Sequence, residues 1–284
     1  QYFNQEENKN LLQQAQERGY QVVQNKKQLA RIKTGKILGL FADQAMPMAV
    51  EQYKHANSPT LAEMAQKGIE LLQQDEDGFI LMVEAGKIDW AAHANDPGSV
   101  WAEMKAFDKL IAWLHAYVDK HPDTLLYINA DHDTGLGGFV YQNVNAKQAA
   151  AKTSLGEVLY DGNTAYGSFK TYELFEKQQR NLYYVYNELK DLPLHKRRAK
   201  DIQKRLSEAL GYPVDISQFE NTNDLQSVFK QLNAQRGLAY ATMNHSAAPI
   251  LSIAYGPGAQ EFTGIYHNTD IFPRLLKLLG WTQP

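Results

Sequence analysis

The 284 residues predict an α/β fold, a parallel sheet covered by helices, with a helix-rich insertion set into it. Short apolar runs, "KILGL", "FILMV", "TLLYI" and "PILSI", alternate with stretches whose apolar residues recur every three or four positions. Unbroken apolar runs of that length are what strands buried on both faces look like. From Phe139 to about Tyr240 the runs stop, and the chain becomes Tyr- and Gln-rich and helical in pattern. The expected division is therefore a core from 1–138 and 241–284, interrupted by an inserted segment over 139–240.

Taken in order, "KNLLQQAQERGYQVVQNKKQL" reads as a short helix, a stop at Gly19 and a brief strand around Val22 and Val23. "GKILGLFAD" (Gly35 to Asp43) reads as a strand. In "NSPTLAEMAQKGIELLQQ", Ser58 or Thr60 can cap a helix, Pro59 suits its first turn, and Thr60 with Glu63 makes a capping box. Leu61, Met64, Gly68, Ile69 and Leu72 share one face of that helix. "GFILMVE" (Gly78 to Glu84) follows as a buried strand. Asp96-Pro97 opens a long helix with Val100, Met104, Phe107, Ile111, Leu114 and Val118 inward, closed by His121-Pro122. "DTLLYINADHDTG" is a strand running into Asp131 and His132. "PILSIAYGPG" is another strand, and "NTDIFPRLLKLLGW" an amphipathic C-terminal helix.

The bulk composition excludes several classes of function. A formal charge of −3 gives no electrostatic footprint for nucleic acid. No apolar run approaches the roughly 18–20 residues that span a bilayer. Cysteine is absent, which rules out disulfides, thiolate metal sites and a thiol nucleophile, and fits cytosol and periplasm equally. The opening "QYFNQEENKN" has neither a basic nor an apolar leader region. "HKRRAKDIQKR" (His195 to Arg205) reads as a solvated helix face before it reads as a phosphate-binding stripe.

The chemistry gathers where strands end. In such sheets working residues lie beyond the strands' carboxyl ends, and Glu84, Asp89, Asp131 and His132 sit there. Asp89 and His93 are four apart, so one helical turn puts carboxylate and imidazole on one face. Singly, each pair has a bland reading: a surface ion pair for Asp89–His93, a capping Asp beside a packed His for Asp131–His132, a hydrogen-bonded histidine for His245. Together they supply mixed imidazole and carboxylate ligands without sulfur, which suits zinc with an open position. Two such ions can clamp an in-line phosphoryl displacement, and an isolated Glu suits magnesium.

Five stretches carry a family resemblance: "KILGLFAD", "SPTLAEMAQKGIELL", "GFILMVEAGKIDWAAHAND", "DTLLYINADHDTG" and "HSAAPILSIAYGPGAQEFTGIYHNTDIF". The chain resembles the C-terminal portion of the alkaline phosphatases, particularly the cold-active marine bacterial type with a large surface insertion. The resemblance implies a three-layer alkaline-phosphatase-like sheet and a metal-dependent phosphomonoesterase using two Zn2+ and one Mg2+. Asp89, His93 and His245 would bind the first zinc, Asp131 and His132 the second, and Glu84 the magnesium. Trp90 would sit near the magnesium and phosphate site. The insertion resembles a crown-like segment and implies a homodimer acting on small phosphomonoesters. A periplasmic or secreted location is implied in the same way. Phosphodiesterases and cofactor-independent phosphomutases of the wider superfamily share the ligand set, and a non-catalytic zinc-binding module is the alternative outside enzymes.

Three family features are missing from these residues: an Asp-Ser-Ala or Asp-Thr-Ala nucleophile, a bridging Asp in Gly-Asp-Gly, and the phosphate-holding Arg. Ser246 and Thr134 lie near the candidate ligands without the nucleophile's context and read as supporting hydroxyls. The expectation is that the N-terminal half of the fold, with the nucleophile, is absent from this chain. The chain alone would then be inactive, with its own N-terminal half as a possible partner fragment.

Overall fold

Residues 11–143, 164–166, 171–193, 195 and 197–281 are described by the structure, a computed structural model. The expected inserted segment is thus described except over 144–163, 167–170, 194 and 196, which lie outside the described residues.

The first unit is a βαβ crossover. Helix α1 (Leu11–Glu17) ends before Gly19, whose φ of +83° turns the chain back into β1 (Tyr20–Val23). Helix α2 (Lys26–Arg31) starts at Asn25, whose side chain accepts from the Gln28 N–H, and leads to β2 (Lys36–Gly39). β1 and β2 pair in parallel, Tyr20 opposite Lys36 and Val23 opposite Gly39.

Helix α3 (Leu61–Leu72) settles the capping alternatives in favour of Thr60. Its hydroxyl accepts from the Glu63 N–H at 3.2 Å while Glu63 Oε2 accepts from the Thr60 N–H at 2.9 Å. Pro59 therefore precedes the cap instead of occupying the first turn. Thr60→Ala is expected to remove about 1 kcal/mol of stability. In a thermal melt this should lower the midpoint by roughly 2–4 °C.

The buried strand expected over Gly78–Glu84 does not form. The segment pairs with no described strand, and Ile80 and Met82 are 64% and 83% exposed. Alternate side chains still turn inward, with Leu81 against Gly68 of α3. The apolar run encodes a strand's side chains, but a ladder needs a neighbour's backbone, and no described residue supplies it.

Helices α4 (Lys87–His93) and α5 (Pro97–Lys120) meet at a sharp corner made by Asn95, with φ of +49°, and Asp96, which caps α5. α5 is the spine of the structure and packs against α3, α4, the 3-10 turn Ala49–Lys54 and α6 (Thr171–Lys177). Its buried large apolar side chains are Leu110 and Val118, whereas Met104, on the expected inner face, is 45% exposed.

The remaining strands pair antiparallel: β3 (Leu126–Ile128) with β10 (Ile253–Tyr255), β4 (Asp133–Thr134) with β9 (His245–Ser246), β5 (Gly137–Phe139) with β8 (Leu238–Tyr240), and β6 (Tyr141–Asn143) with β7 (Thr164–Tyr166). The α/β class holds, but the described strands form five two-stranded ladders, of which β1–β2 alone is parallel.

The largest buried cluster lies between residues 182 and 232. Helices α7 (Leu182–Lys190), α8 (Ala199–Leu210) and α9 (Leu225–Gln235) converge there through Leu189, Ile202, Leu206, Val228 and Leu232. The basic stripe lies on the opposite face of α8, where Arg198 pairs with Asp201, Lys204 with Glu208 and Arg205 with Glu188. Ion pairing to its own neighbours makes it a solvated helix face. Helix α10 (Ile271–Leu278) closes the described chain, buried through Leu276.

Candidate metal centre

Helix α4 is short, and its one working face carries Asp89 and His93 a turn apart, while Ala91 packs inward at 0% exposure. The ladder β4–β9 sets Thr134 opposite His245, so residues 152 apart in sequence meet at the end of α4. His93 Nε2 lies 3.1 Å from His245 Nε2 and 3.4 Å from Asp89 Oδ2, and His245 Nε2 lies 3.8 Å from Asp89 Oδ1. Among the described residues this is the one group of three or more His and carboxylate side chains that closes to within 4.8 Å.

The tautomers follow from the second partner of each ring. His93 Nδ1 faces the Met243 carbonyl at 2.5 Å. A carbonyl can only accept, so Nδ1 carries the proton and Nε2 presents its lone pair to the triangle. Fixing the ring through its other nitrogen is the usual way a metal-binding imidazole is oriented. Thr134 Oγ1 donates to Asp89 Oδ1 at 2.5 Å and lies 3.2 Å from His132 Nδ1. Its single proton is used on Asp89, so His132 Nδ1–H donates to the hydroxyl. His132 Nε2 faces Asp131 Oδ2 at 3.3 Å.

The spacing fits a tetrahedral ion. Around zinc, with bonds of about 2.0–2.1 Å, neighbouring ligand atoms stand about 3.3–3.4 Å apart. The His93–His245 and His93–Asp89 contacts of 3.1 and 3.4 Å lie near that edge, while His245 reaches the other Asp89 oxygen at 3.8 Å. His245 is half exposed, so the triangle has an open side.

The other expected residues divide. His132 stacks on His245 with centroids 3.4 Å apart, placing the second pair beside the triangle. Asp131 is 84% exposed and touches His132 alone among the five. Glu84 is exposed and stands outside the triangle. With Trp90 it lines a cleft of about 820 Å³ between α3, α4, α5 and the turn at Ala49–Lys54. Ser246 donates to Asp133, supporting the ladder and touching no ligand.

Sequence reasoning missed Lys87. Its ammonium sits 3.7 Å above the Trp90 ring without a hydrogen-bond partner. Burial pushes its pKa down, opposed by Glu103, and burial raises the Glu103 carboxyl in turn despite the Ala49 N–H it accepts. A lysine opening a helix carries no sequence signal of burial. The Met243 carbonyl was equally unreadable, since backbone atoms leave no mark in composition.

An α/β chain that gathers two imidazoles and a carboxylate at strand and helix ends falls in the class that presents sulfur-free, metal-type ligand clusters. More particularly, the chain belongs to the alkaline phosphatase family, whose model matches residues 3–281. It is 28% identical to alkaline phosphatase 3 of Bacillus subtilis over 280 residues, which covers 96% of this chain and 55% of that protein. Against the alkaline phosphatase of Escherichia coli it is 34% identical over 148 residues, 44% of this chain and 31% of that one. Among solved structures, the cold-active alkaline phosphatase of a psychrophilic Shewanella superposes with a TM-score of 0.72 at 28% identity, covering 98% of this chain and 63% of that one. The Thermus thermophilus alkaline phosphatase gives a TM-score of 0.76 at 24% identity over 99% of this chain and 61% of that one, a likeness of fold. The chain thus spans about half the length of the curated relatives that it matches along its whole length.

Proposed function

We propose that this chain supplies the metal-ligand half of a phosphomonoesterase, hydrolysing small phosphate monoesters through a covalent phosphoseryl or phosphothreonyl intermediate. The observation that carries the reading is the triangle of Asp89, His93 and His245, with the His93 ring fixed by the Met243 carbonyl and its lone pair turned inward.

In this reading Asp89, His93 and His245 hold one zinc, Asp131 and His132 contribute to a second, and Glu84 contributes to a magnesium site near Trp90. The Met243 carbonyl that turns His93 Nε2 inward and the contact between Asp131 and His132 support it. A structure of the same fold, a TAB5 alkaline phosphatase variant, has magnesium bound. When bound, such ions stabilise charge on the oxygens entering and leaving phosphorus. The chain's own part is to hold the ligands: Met243 orients His93, and Thr134 ties Asp89 to His132 with one hydroxyl. No Asp-Ser-Ala or Asp-Thr-Ala occurs in the 284 residues, so the nucleophile and the phosphate-holding Arg belong to a segment outside them. The unpaired Gly78–Glu84 run and the exposed Leu251 and Ile265 are the surface such a segment would cover, completing a three-layer sheet. The core over 1–138 and 241–284, the crown-like insertion over 139–240, a homodimer and a periplasmic or secreted location belong to the same reading. No helix among the described residues is long and apolar enough to cross a membrane.

An aryl phosphate assay tests it. The chain alone, loaded with zinc and magnesium, is expected to release phosphate at no more than background rate. Joined to a segment bearing Asp-Ser-Ala or Asp-Thr-Ala, it should turn over. Full activity from the chain alone overturns the division of labour, and a joined protein that cleaves only diesters or moves phosphate within a substrate points to the phosphodiesterase or mutase reading. Zinc binding with no turnover even when joined points to a non-catalytic module.

A further inference from the structure

The corner between α4 and α5 is held from outside the metal site. Asp96 is fully buried, and both its oxygens are saturated by neutral donors. Oδ1 accepts from the Ser99 N–H at 3.2 Å and from Gln178 Nε2 at 2.8 Å. Oδ2 accepts from Ser99 Oγ at 2.7 Å, from the Leu182 N–H at 2.7 Å and from Asn181 Nδ2 at 3.4 Å. Two helix N-termini therefore converge on one carboxylate, because Ser99 lies in the first turn of α5 and Leu182 begins α7. Helix N-termini carry unpaired N–H groups and a positive dipole end, so a carboxylate joining two of them is stabilised by both. A Cβ on Gly98 would strike Gln178 Oε1 at 2.0 Å, which shows how closely the segments are pressed. The field of Asp96 reaches beyond the pair: burial first, then Asp96, holds the Tyr240 phenol well above its ordinary range, with Arg236 opposing.

A second tie runs alongside. Asn233 Nδ2 of α9 donates to the Asn95 carbonyl at 2.7 Å, and one end of the Asn95 side-chain amide lies 3.0 Å from both the Ala92 and Thr242 carbonyls, two acceptors that call for its NH2 group there. Asn95 thus ties the end of the metal helix to the loop carrying Met243 and His245. Through the Asn95 carbonyl and the Asp96 carboxylate, the end of the metal helix is thus joined to the helices between 171 and 235.

We infer that Asp96 is a positioning residue through which the segment 171–235 sets the His93–His245 geometry, so that metal affinity depends on this buried clasp. The carboxylate touches no ligand. It fixes where α4 ends, and hence whether His93 Nδ1 reaches the Met243 carbonyl. The inference rests on the metal reading given above for the consequence in affinity, but not for the ring geometry.

The test is Asp96→Asn in the full chain. The amide keeps the cap's shape but turns an NH2 toward donors that need an acceptor. Nitrogen-15 spectra of the imidazoles report the His93 tautomer without metal, and zinc titration reports affinity. We expect the Nδ1–H form of His93 to give way to a mixture, zinc to bind about 10–100-fold more weakly, and far-ultraviolet circular dichroism to stay unchanged. An unaltered His93 spectrum, or zinc affinity within about twofold of the parent when the ring has changed, overturns the clasp. If Asp96→Asn unfolds the helices, Gln178→Met removes one donor at similar volume and carries the same comparison with a smaller expected change. A parent chain that binds no zinc sinks the metal reading, while the His93 spectrum still decides the clasp.

Discussion

His93→Ala is expected to abolish tight zinc binding by the chain while leaving its helices intact. Of the three groups in the triangle, His93 lies nearest both others, at 3.1 Å from His245 and 3.4 Å from Asp89. It is also the one whose ring is fixed by a backbone carbonyl. Structural zinc sites are worth about 10–16 kcal/mol, so a share of roughly 3 kcal/mol per ligand corresponds to on the order of a hundredfold in affinity. Competition against a chromophoric chelator measures this directly. The side chain is partly exposed and outside any buried cluster, so its loss should move the thermal midpoint of the metal-free chain little. Met243→Ala is the informative companion, since it keeps the carbonyl that orients His93 and should bind zinc within a few-fold of the parent. Equal zinc affinity in His93→Ala and the parent would mean that the triangle is a surface ion pair and nothing more.

Spacing and local chemistry made part of this legible in the sequence. Asp89 and His93 could be put on one face because the helical repeat is fixed, and the Thr60–Glu63 box because capping is a contact between near neighbours. His245 could be suspected but not placed: its meeting with His93 depends on a two-residue ladder to Asp133 and Thr134. The run Gly78–Glu84 failed for a related reason, since alternation fixes which side chains turn inward but says nothing of which backbone lies alongside. Asp96 was readable as the cap of α5, and that much is correct. That the same carboxylate also receives the start of α7, 86 residues later, is a fact of packing that no local pattern encodes. In α8 the buried face is lined by Ile202, Leu206, Ala209 and Leu210 at spacings of three and four, interleaved with the charged residues between Lys200 and Arg205 that face solvent.

That buried face leads to the second large effect. Leu206→Ala is expected to destabilise the chain by about 2–5 kcal/mol, the range for emptying a fully enclosed leucine site. Leu206 is at 0% exposure and packs in a cluster with Leu182, Val185, Leu189, Ile202 and Val228, all at 1% or less. Three helices enclose it, so collapse to refill the void would require one of them to move, and Asn181 and Leu182 at the start of α7 are already committed to Asp96. Urea denaturation followed by circular dichroism reads the loss. Two variants isolate burial as the cause. Lys204→Ala, on the same helix but with its side chain 75% exposed, should stay within about 0.5 kcal/mol of the parent. Ile265→Ala removes a comparable amount of hydrocarbon from a fully exposed position and should be similarly silent. Because the enclosed helices also grip the α4–α5 corner, Leu206→Ala should weaken zinc binding in proportion to the fraction of chain it unfolds. A Leu206→Ala chain as stable as Lys204→Ala would show that the three helices do not form a packed core, and the corner would then have no rigid body to hold it.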